Sequence, residues 1–316
     1  MKHKNLVIDR VSVEPGETEQ VNLYVSRLPS GNPINIQSYV FRSTQPGPTI
    51  LIMGGVHGDE INGVQIVRRL LEDQVFNELT AGSVIAIPLL NVFGFINYSR
   101  DVPDGKDVNR SFPGSSRGSL ASRTASVLTK KVLPNVDIAV DLHTGGASRY
   151  NYPQIRYSNK DKRALELAGA FGAPYIIEKP WITKSFRKTA NQMGISVLVY
   201  EAGESVRLDG FSIELGVAGI KRTLNNLGML STAPVNNYKP LFFKSTGWIR
   251  SSEAGLFTWS KQSGNYIVKG EQLGVIHSPH GDRMKRIFAS KNGYIIGHNN
   301  ASVVHNGDAL FHIAYS

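Results

Sequence analysis

The sequence predicts an α/β fold, with a mixed, mostly parallel sheet flanked by helices and a small all-β unit after it. Between about residues 46 and 230, apolar strand-like runs alternate with helical stretches, an order typical of parallel sheets. After about residue 240 the helical patterns stop, and short strand-like runs are separated by glycines. A chain of 316 residues corresponds to about two domains at roughly 150 residues each. We therefore expect an α/β domain over 1–232 and a β-rich domain over 240–316, joined by a linker near 231–240.

The first domain opens with a β-hairpin lead-in at about 1–45, where short apolar runs alternate with Pro and Gly. The run Thr49–Gly55 is continuously apolar, as in a strand that is buried on both faces. The strands predicted after it are Ser83–Asn91, Asp137–His143, Tyr175–Glu178 and Ile195–Glu201. The predicted helices are Gly63–Phe76, Leu120–Leu133, Lys160–Phe171, Arg187–Met193 and Glu214–Leu227.

Composition excludes several classes of function. The chain has no cysteine, which excludes disulfides, thiolate zinc sites and cysteine nucleophiles. The net charge of +10 is spread along the chain, so we expect a solvated surface and no nucleic-acid partner. No run approaches the roughly 18 apolar residues of a membrane span, and Met1–Arg10 lacks the features of a signal peptide. The expected place is the cytoplasm, with no membrane partner.

Two short motifs place candidate metal ligands at predicted strand ends. His57 and Glu60 follow the strand Thr49–Gly55, and His143 ends the strand Asp137–His143. Alone, the first pair is equally compatible with a helix start that carries an acidic first turn. In open α/β sheets, however, ligands bind beyond the carboxyl ends of the strands. Two histidines and one carboxylate form a familiar catalytic zinc set.

Two further segments contain candidate catalytic and binding residues. Glu201 ends a predicted strand and could take a proton from water, although Glu204 competes for the role and a helix-capping acid is the alternative. A turn-rich loop carries Arg100, Asn109 and Arg110. Arg110 can bind a carboxylate bidentately with help from Asn109, and Arg100 could stabilise an oxyanion. A solvated surface loop is the alternative interpretation of this segment.

Taken together, the ordered motifs HGDE, R…DVNRSFPG, DLHTG and YEAG resemble those of the succinylglutamate desuccinylase/aspartoacylase family, a branch of the zinc carboxypeptidase-like superfamily. The resemblance implies a zinc-carboxypeptidase-like fold with one zinc ion per chain. His57, Glu60 and His143 match the family's zinc ligands, and Glu201 matches its general base and proton shuttle.

By the same resemblance, Asn109 and Arg110 match the pair that holds the substrate's free carboxylate, and Arg100 matches the arginine that stabilises the carbonyl oxygen. The glycine-punctuated tail looks like the family's C-terminal domain, which we expect to cap the active-site channel. One departure is Asn91-Val92, where the family often has Asn-Pro. It affects only the turn after that strand.

The expected function is zinc-dependent hydrolysis of the amide bond of a small N-acylated amino acid, an amide other than a peptide bond. Two alternatives remain open at this stage. One is a metallocarboxypeptidase that acts on short peptides, and the other is a non-catalytic binding protein on the same fold. The sequence does not identify the acyl group or the amino acid, and it leaves a homo-oligomer possible.

Overall fold

The computed structural model describes residues 5–315, so the first four residues of the predicted lead-in and residue 316 lie outside it. The strands, numbered in chain order, are β1 (Leu6–Ile8), β2 (Val11–Val13), β3 (Thr18–Arg27), β4 (Pro33–Arg42), β5 (Thr49–Met53), β6 (Ser83–Ile87), β7 (Ile138–Gly145), β8 (Arg149–Tyr157), β9 (Tyr175–Glu178), β10 (Ser196–Glu204), β11 (Leu241–Phe243), β12 (Ser245–Arg250), β13 (Gly255–Trp259), β14 (Tyr266–Ile267), β15 (Gln272–His277), β16 (Met284–Phe288), β17 (Gly293–Asn299), β18 (Val303–Val304) and β19 (Ala309–Tyr315).

The α-helices are α1 (Ile61–Glu72), α2 (Val92–Ile96), α3 (Leu120–Val127), α4 (Lys162–Phe171), α5 (Phe186–Gln192) and α6 (Gly210–Asn226). Short 3-10 helices lie at Val75–Glu78, Val108–Arg110 and Leu133–Asn135, and a π-helical turn at Leu128–Val132 follows α3.

A mixed sheet forms the centre of the molecule, and its four middle strands, in the order β10-β7-β5-β6, are parallel. The strand β5 is buried along its whole length, because helices cover both faces of the sheet. Leu51 and Met53 pack in one apolar cluster with α3 and α5. Ile50 and Ile52 pack in a second cluster with α1, α4 and α6. This arrangement confirms the predicted α/β fold class.

The sheet is extended by antiparallel strands on both sides. The hairpin β3-β4, within the segment predicted as a β-hairpin lead-in, pairs with β6 through β4. On the other side β8 runs antiparallel to β10. The sequence analysis missed β8, because its segment RYNYPQIRY is interrupted by polar residues and by Pro153. It also missed α2, and it extended one strand to Asn91 and one helix to Leu133, beyond the regular ends of β6 and α3.

The C-terminal strands both extend the main sheet and form a second one. β17 pairs with β8, and β19 and β12 follow outward. β16, β15, β13 and β18 form a separate four-stranded antiparallel sheet. The division into two domains at 232–240 stays a prediction. Among the described residues, no helix combines the length and apolar character that a membrane span requires.

Helix α1 approaches β7 closely, and a glycine allows this approach. A Cβ atom at Gly63 would lie 2.7 Å from the carbonyl oxygen of Leu142. Because main-chain atoms of a buried strand cannot move aside, a side chain at this position would displace the helix. The same displacement would move Glu60, which directly precedes α1.

We therefore expect Gly63→Ala to lower the free energy of unfolding by about 1–3 kcal/mol, the usual cost of an overpacked core. Gly169→Ala is the matched control, because it lies inside α4 with no atom within 4 Å of its Cβ position. It should leave the stability unchanged or raise it by up to about 1 kcal/mol. Urea titrations followed by circular dichroism measure the free energy of unfolding of each variant. Equal stability of the two variants would contradict the close contact.

Candidate active site and metal centre

The candidate residues lie at the carboxyl ends of three neighbouring parallel strands. His57 and Glu60 follow β5, His143 lies near the end of β7, and Glu201 lies in β10 directly opposite His143. The sheet order β10-β7-β5 therefore brings these side chains together, as the motif positions predicted.

His57, Glu60 and His143 form a buried cluster whose potential ligand atoms all lie within 4.8 Å of one another. Glu60 Oε1 is 2.7 Å from His57 Nδ1, and Glu60 Oε2 is 2.8 Å from His143 Nδ1. Two imidazole nitrogens and a carboxylate thus converge on one point. This donor set fits a divalent cation such as zinc, because nitrogen and carboxylate oxygen are typical zinc ligands.

Two carboxylates orient the imidazole rings by contacting the Nε2 atom of each ring. Asp107 Oδ1 lies 3.3 Å from His57 Nε2, and Asp141 Oδ2 lies 2.9 Å from His143 Nε2. A carboxylate at Nε2 favours the tautomer with its proton on that atom, which leaves the Nδ1 lone pair for a metal. Sequence reasoning did not assign Asp107 or Asp141. The available signal was their position two residues before Asn109 and His143.

The cluster is strongly coupled electrostatically. Burial alone would lower the pKa values of His57 and His143, but neighbouring carboxylates outweigh this effect. Glu60 and Asp107 raise the pKa of His57 above its usual value. Asp141 and Glu60 raise the pKa of His143 well above its usual value. Burial would raise the pKa of Glu60, but the two histidines hold it well below its usual value. Glu60 is thus an anion that requires positive charge beside it, which protons or a bound cation can supply.

Arg100 borders the same cluster. Its Nη1 donates to Glu60 Oε1 at 3.0 Å, and its Nη2 donates to Asp107 Oδ2 at 3.0 Å. Burial would lower the pKa of Arg100, but Glu60 and Asp107 raise it. The Arg100 side chain is still 37 % exposed, and the residue lines the cavity. Its position is compatible with the predicted contact to a substrate carbonyl oxygen.

Asn109 and Arg110 lie in a 3-10 turn on the rim of the cavity. The Asn109 side-chain oxygen accepts from the backbone N–H of Phe186 at 2.8 Å, so only its amide Nδ2 is left to donate to a ligand. The exposed Arg110 donates through Nη1 to the Asn109 carbonyl oxygen. Asn109 therefore connects the loop between α2 and α3 to the start of α5.

Glu201 is held by two residues of β8. Arg156 Nη1 donates to Glu201 Oε1, and Asn151 Nδ2 donates to Glu201 Oε2, each at 2.8 Å. Glu204, the competing acid, does not line the cavity and accepts from Asn300 at 2.6 Å. The geometry therefore favours Glu201 as the acid that faces a substrate. Sequence reasoning could not identify Arg156 or Asn151, because it missed their strand.

All seven residues predicted for the site line one cavity of about 470 Å³. Its wall also includes Trp248 of β12, so a strand from the C-terminal part of the chain contributes to the wall. The other lining residues that sequence reasoning missed include Arg149, Arg156, Lys179, Ile182, Ser185 and Arg187.

Comparison with known proteins identifies the family. A model of the succinylglutamate desuccinylase/aspartoacylase catalytic domain matches residues 46–227, more than half of the chain. The chain belongs to the succinylglutamate desuccinylase/aspartoacylase family. This confirms the resemblance inferred from the four motifs, which all lie within the matched segment.

One named protein and two solved structures match most or all of the chain. The chain is 27 % identical over 282 residues to an N-alpha-acetyl-L-2,4-diaminobutyric acid deacetylase of Halomonas elongata, which covers 85 % of this chain and 82 % of that protein. A succinylglutamate desuccinylase/aspartoacylase of Rhodobacter sphaeroides is 26 % identical with a TM-score of 0.86, over 99 % of both chains. The product-bound ectoine utilization protein EutE (DoeB) of Ruegeria pomeroyi shares the fold, with a TM-score of 0.88 at 22 % identity over the whole of both chains.

The Asn109 contact gives a structural prediction. Phe186 is the first residue of α5, where backbone N–H groups have no partner inside the helix. Asn109→Ala would leave this donor without its acceptor and should cost about 1–3 kcal/mol of stability. Asn109→Asp keeps a carboxyl oxygen in the same place and should retain most of the stability. Thermal unfolding of the two variants beside the parent measures the difference, and an equal loss in both would exclude the proposed role of the acceptor.

Proposed function

We propose that this chain is a zinc-dependent deacylase that hydrolyses the amide bond of a small N-acylated amino acid. The main observation in support of the proposal is that the His57–Glu60–His143 cluster and Glu201 line the same cavity. Membership of the desuccinylase/aspartoacylase family supports an amidohydrolase. The deacetylase name of the Halomonas relative supports a small N-acyl amino acid as substrate.

His57, Glu60 and His143 would hold the zinc ion, through Nδ1 of each ring and the carboxylate. When bound, zinc supplies a more acidic water and polarises the scissile carbonyl group. Asp107 and Asp141 keep the two rings oriented for this task. The two rings, Glu60, Asp107 and Asp141 interact electrostatically as one cluster, which supports one ion per chain.

Glu201 would act as the general base and then as the acid. It takes a proton from the attacking water and passes it to the leaving amide nitrogen. Arg156 and Asn151 fix the positions of its two carboxylate oxygens. Arg100, at the edge of the cluster, would donate to the developing oxyanion.

The substrate is proposed to carry a free carboxylate, which Arg110 and the amide Nδ2 of Asn109 would bind at the rim. A guanidinium and an amide N–H₂ group present only donors, which suits a carboxylate acceptor. Fixing this end of the substrate places the amide bond at the cluster, and correct placement lowers the barrier by several kcal/mol.

The cavity helps to distinguish the deacylase from the two alternatives, a metallocarboxypeptidase and a non-catalytic binding protein. A cavity volume of about 470 Å³, with Trp248 in the wall, favours a small substrate over a peptide. A binding protein would have no need of a carboxylate held beside the candidate metal centre by two side chains. The carboxypeptidase and the binding protein therefore remain the outcomes against which the deacylase is tested.

The direct test is amine release from a panel of acetyl, succinyl and formyl amino acids and short peptides by zinc-loaded protein. We expect N-acyl amino acids to be cleaved and peptides to be poor substrates. Glu201→Gln should lower kcat by about 10²–10⁴-fold, whereas the matched control Glu204→Gln should stay within a few-fold of the parent. Release from peptides alone would establish the carboxypeptidase. No release from any compound would leave only a binding protein.

A further inference from the structure

The chain directly after Glu201 leaves the regular strand pairing. On the β7 side, Glu201 lies opposite His143 and Glu204 lies opposite Gly145, so β10 has one residue more than β7 in this interval. The register with β8 also shifts after Glu201. Such a β-bulge interrupts the ladder of backbone hydrogen bonds. In the part of the chain that the structure describes, Ala202 has no cross-strand partner on either β7 or β8.

The side chain of Asn62 supplies a hydrogen bond to this bulge. Its Nδ2 donates to the carbonyl oxygen of Ala202 at 3.2 Å. Its Oδ1 accepts from the backbone N–H of Asp209 at 3.0 Å, and Asp209 caps the start of α6. Asn62 is 1 % exposed, so water does not compete for either contact. Because one partner is a carbonyl oxygen and the other is an N–H group, the amide satisfies both of them in only one orientation.

The glycine after Ala202 leaves room for this contact. Gly203 has a φ of +80°, a backbone conformation that favours glycine. A Cβ atom at this position would lie 2.2 Å from Asn62 Nδ2, which is too close for two atoms that are not bonded. The motif YEAG thus contributes more than its acid. Ala202 offers the carbonyl oxygen, and Gly203 offers the space that Asn62 requires.

Asn62 connects the backbone of a candidate metal ligand to the backbone of the candidate base. It lies in the first turn of α1, which Glu60 directly precedes. Its partner Ala202 directly follows Glu201 in β10. A single side-chain hydrogen bond therefore joins two segments that are 140 positions apart. Where the ladder between β7 and β10 is interrupted, this contact replaces it.

We propose that Asn62 is a positioning residue, which fixes the backbone after Glu201 and thereby the placement of that carboxylate relative to the candidate metal cluster. The inference rests on the proposed function and deepens it, because a general base must lie within hydrogen-bonding reach of the proton that it takes. Asn62 does not line the cavity, so it touches neither the substrate nor the reacting atoms. Arg156 and Asn151 hold the carboxylate oxygens of Glu201, whereas Asn62 holds the main chain beside them.

Two alanine variants separate positioning from stability. Asn62→Ala removes both contacts of the amide, and Asn225→Ala is the matched control. Asn225 lies in α6, and its Nδ2 likewise donates to a backbone carbonyl oxygen, that of Leu230, at a position outside the cavity lining. Both variants should lower the urea midpoint of unfolding, because each leaves a carbonyl oxygen without its donor.

Only the change at Asn62 should affect turnover. With zinc-loaded protein and an N-acyl amino acid that the parent cleaves, kcat of Asn62→Ala should fall by about 10–100-fold, since a misplacement of about 1 Å can cost about 10²-fold. KM should stay within a few-fold, because the rim residues that would bind the substrate are unchanged. Asn225→Ala should retain the kcat of the parent. Asn62→Ser removes less of the side chain, and its kcat should also fall; it provides the measurement if Asn62→Ala fails to fold.

Hydrogen exchange gives a readout that does not depend on turnover. In the parent, zinc binding should slow amide exchange in the segment 199–206 by about fivefold, the effect of one hydrogen bond, because an ordered start of α1 holds the bulge through Asn62. Asn62→Ala should lose most of this slowing, while zinc still slows exchange in the segment 57–61. Asn225→Ala should behave like the parent in both segments.

The outcomes distinguish the positioning role from the deacylase. If the parent cleaves its substrate and folded Asn62→Ala has the same kcat, the positioning role is wrong and the deacylase stands. An equal loss of kcat in Asn225→Ala also overturns the positioning role, because the effect then follows stability alone. Slowing of exchange in 199–206 that survives in Asn62→Ala overturns it as well. If the parent cleaves nothing but the slowing depends on Asn62, the connection between the cluster and the bulge stands and the deacylase is wrong.

Discussion

A buried carboxylate, that of Glu60, determines how the rest of the site is built. Glu60 is 2 % exposed, and an unpaired carboxylate at such a position would cost several kcal/mol. His57 and His143 lie against its two oxygens, the Thr144 N–H donates to Oε2 at 3.0 Å, and Arg100 donates to Oε1. These groups compensate the charge in the absence of a cation. They also identify the point at which a cation would sit.

The sheet makes this cluster possible. Parallel strands end at the same edge, so residues that are 83 positions apart, Glu60 and His143, come within hydrogen-bonding distance. The antiparallel strand β8 then adds the groups that hold Glu201 from the other side. Because β8 also pairs with β17, the C-terminal strands are attached to the strand that supports the candidate base. Trp248 reaches the cavity as a consequence of that attachment.

The central parallel strands and the cluster at their ends could be predicted, because the sequence patterns that indicate them are local. Continuous apolar runs indicated β5, β7 and β10, and motifs at their ends indicated the cluster. The supporting residues were not predictable in the same way. Arg156 and Asn151 act across an antiparallel register that no local pattern reveals, and Pro153 between them argued against a strand. Arg187 was placed at the start of an ordinary helix, where a cation is usually solvated, and only the tertiary packing buries it.

In the proposed metal centre, His143 binds the ion together with His57 and Glu60. Equilibrium dialysis of metal-free protein against zinc, followed by metal analysis, tests this assignment most directly. We expect one zinc ion per chain in the parent and in the control His305→Ala, whose side chain is exposed and does not line the cavity. We expect severe loss of zinc in His143→Ala with the circular dichroism spectrum unchanged. Near-full zinc occupancy in folded His143→Ala would contradict the assignment.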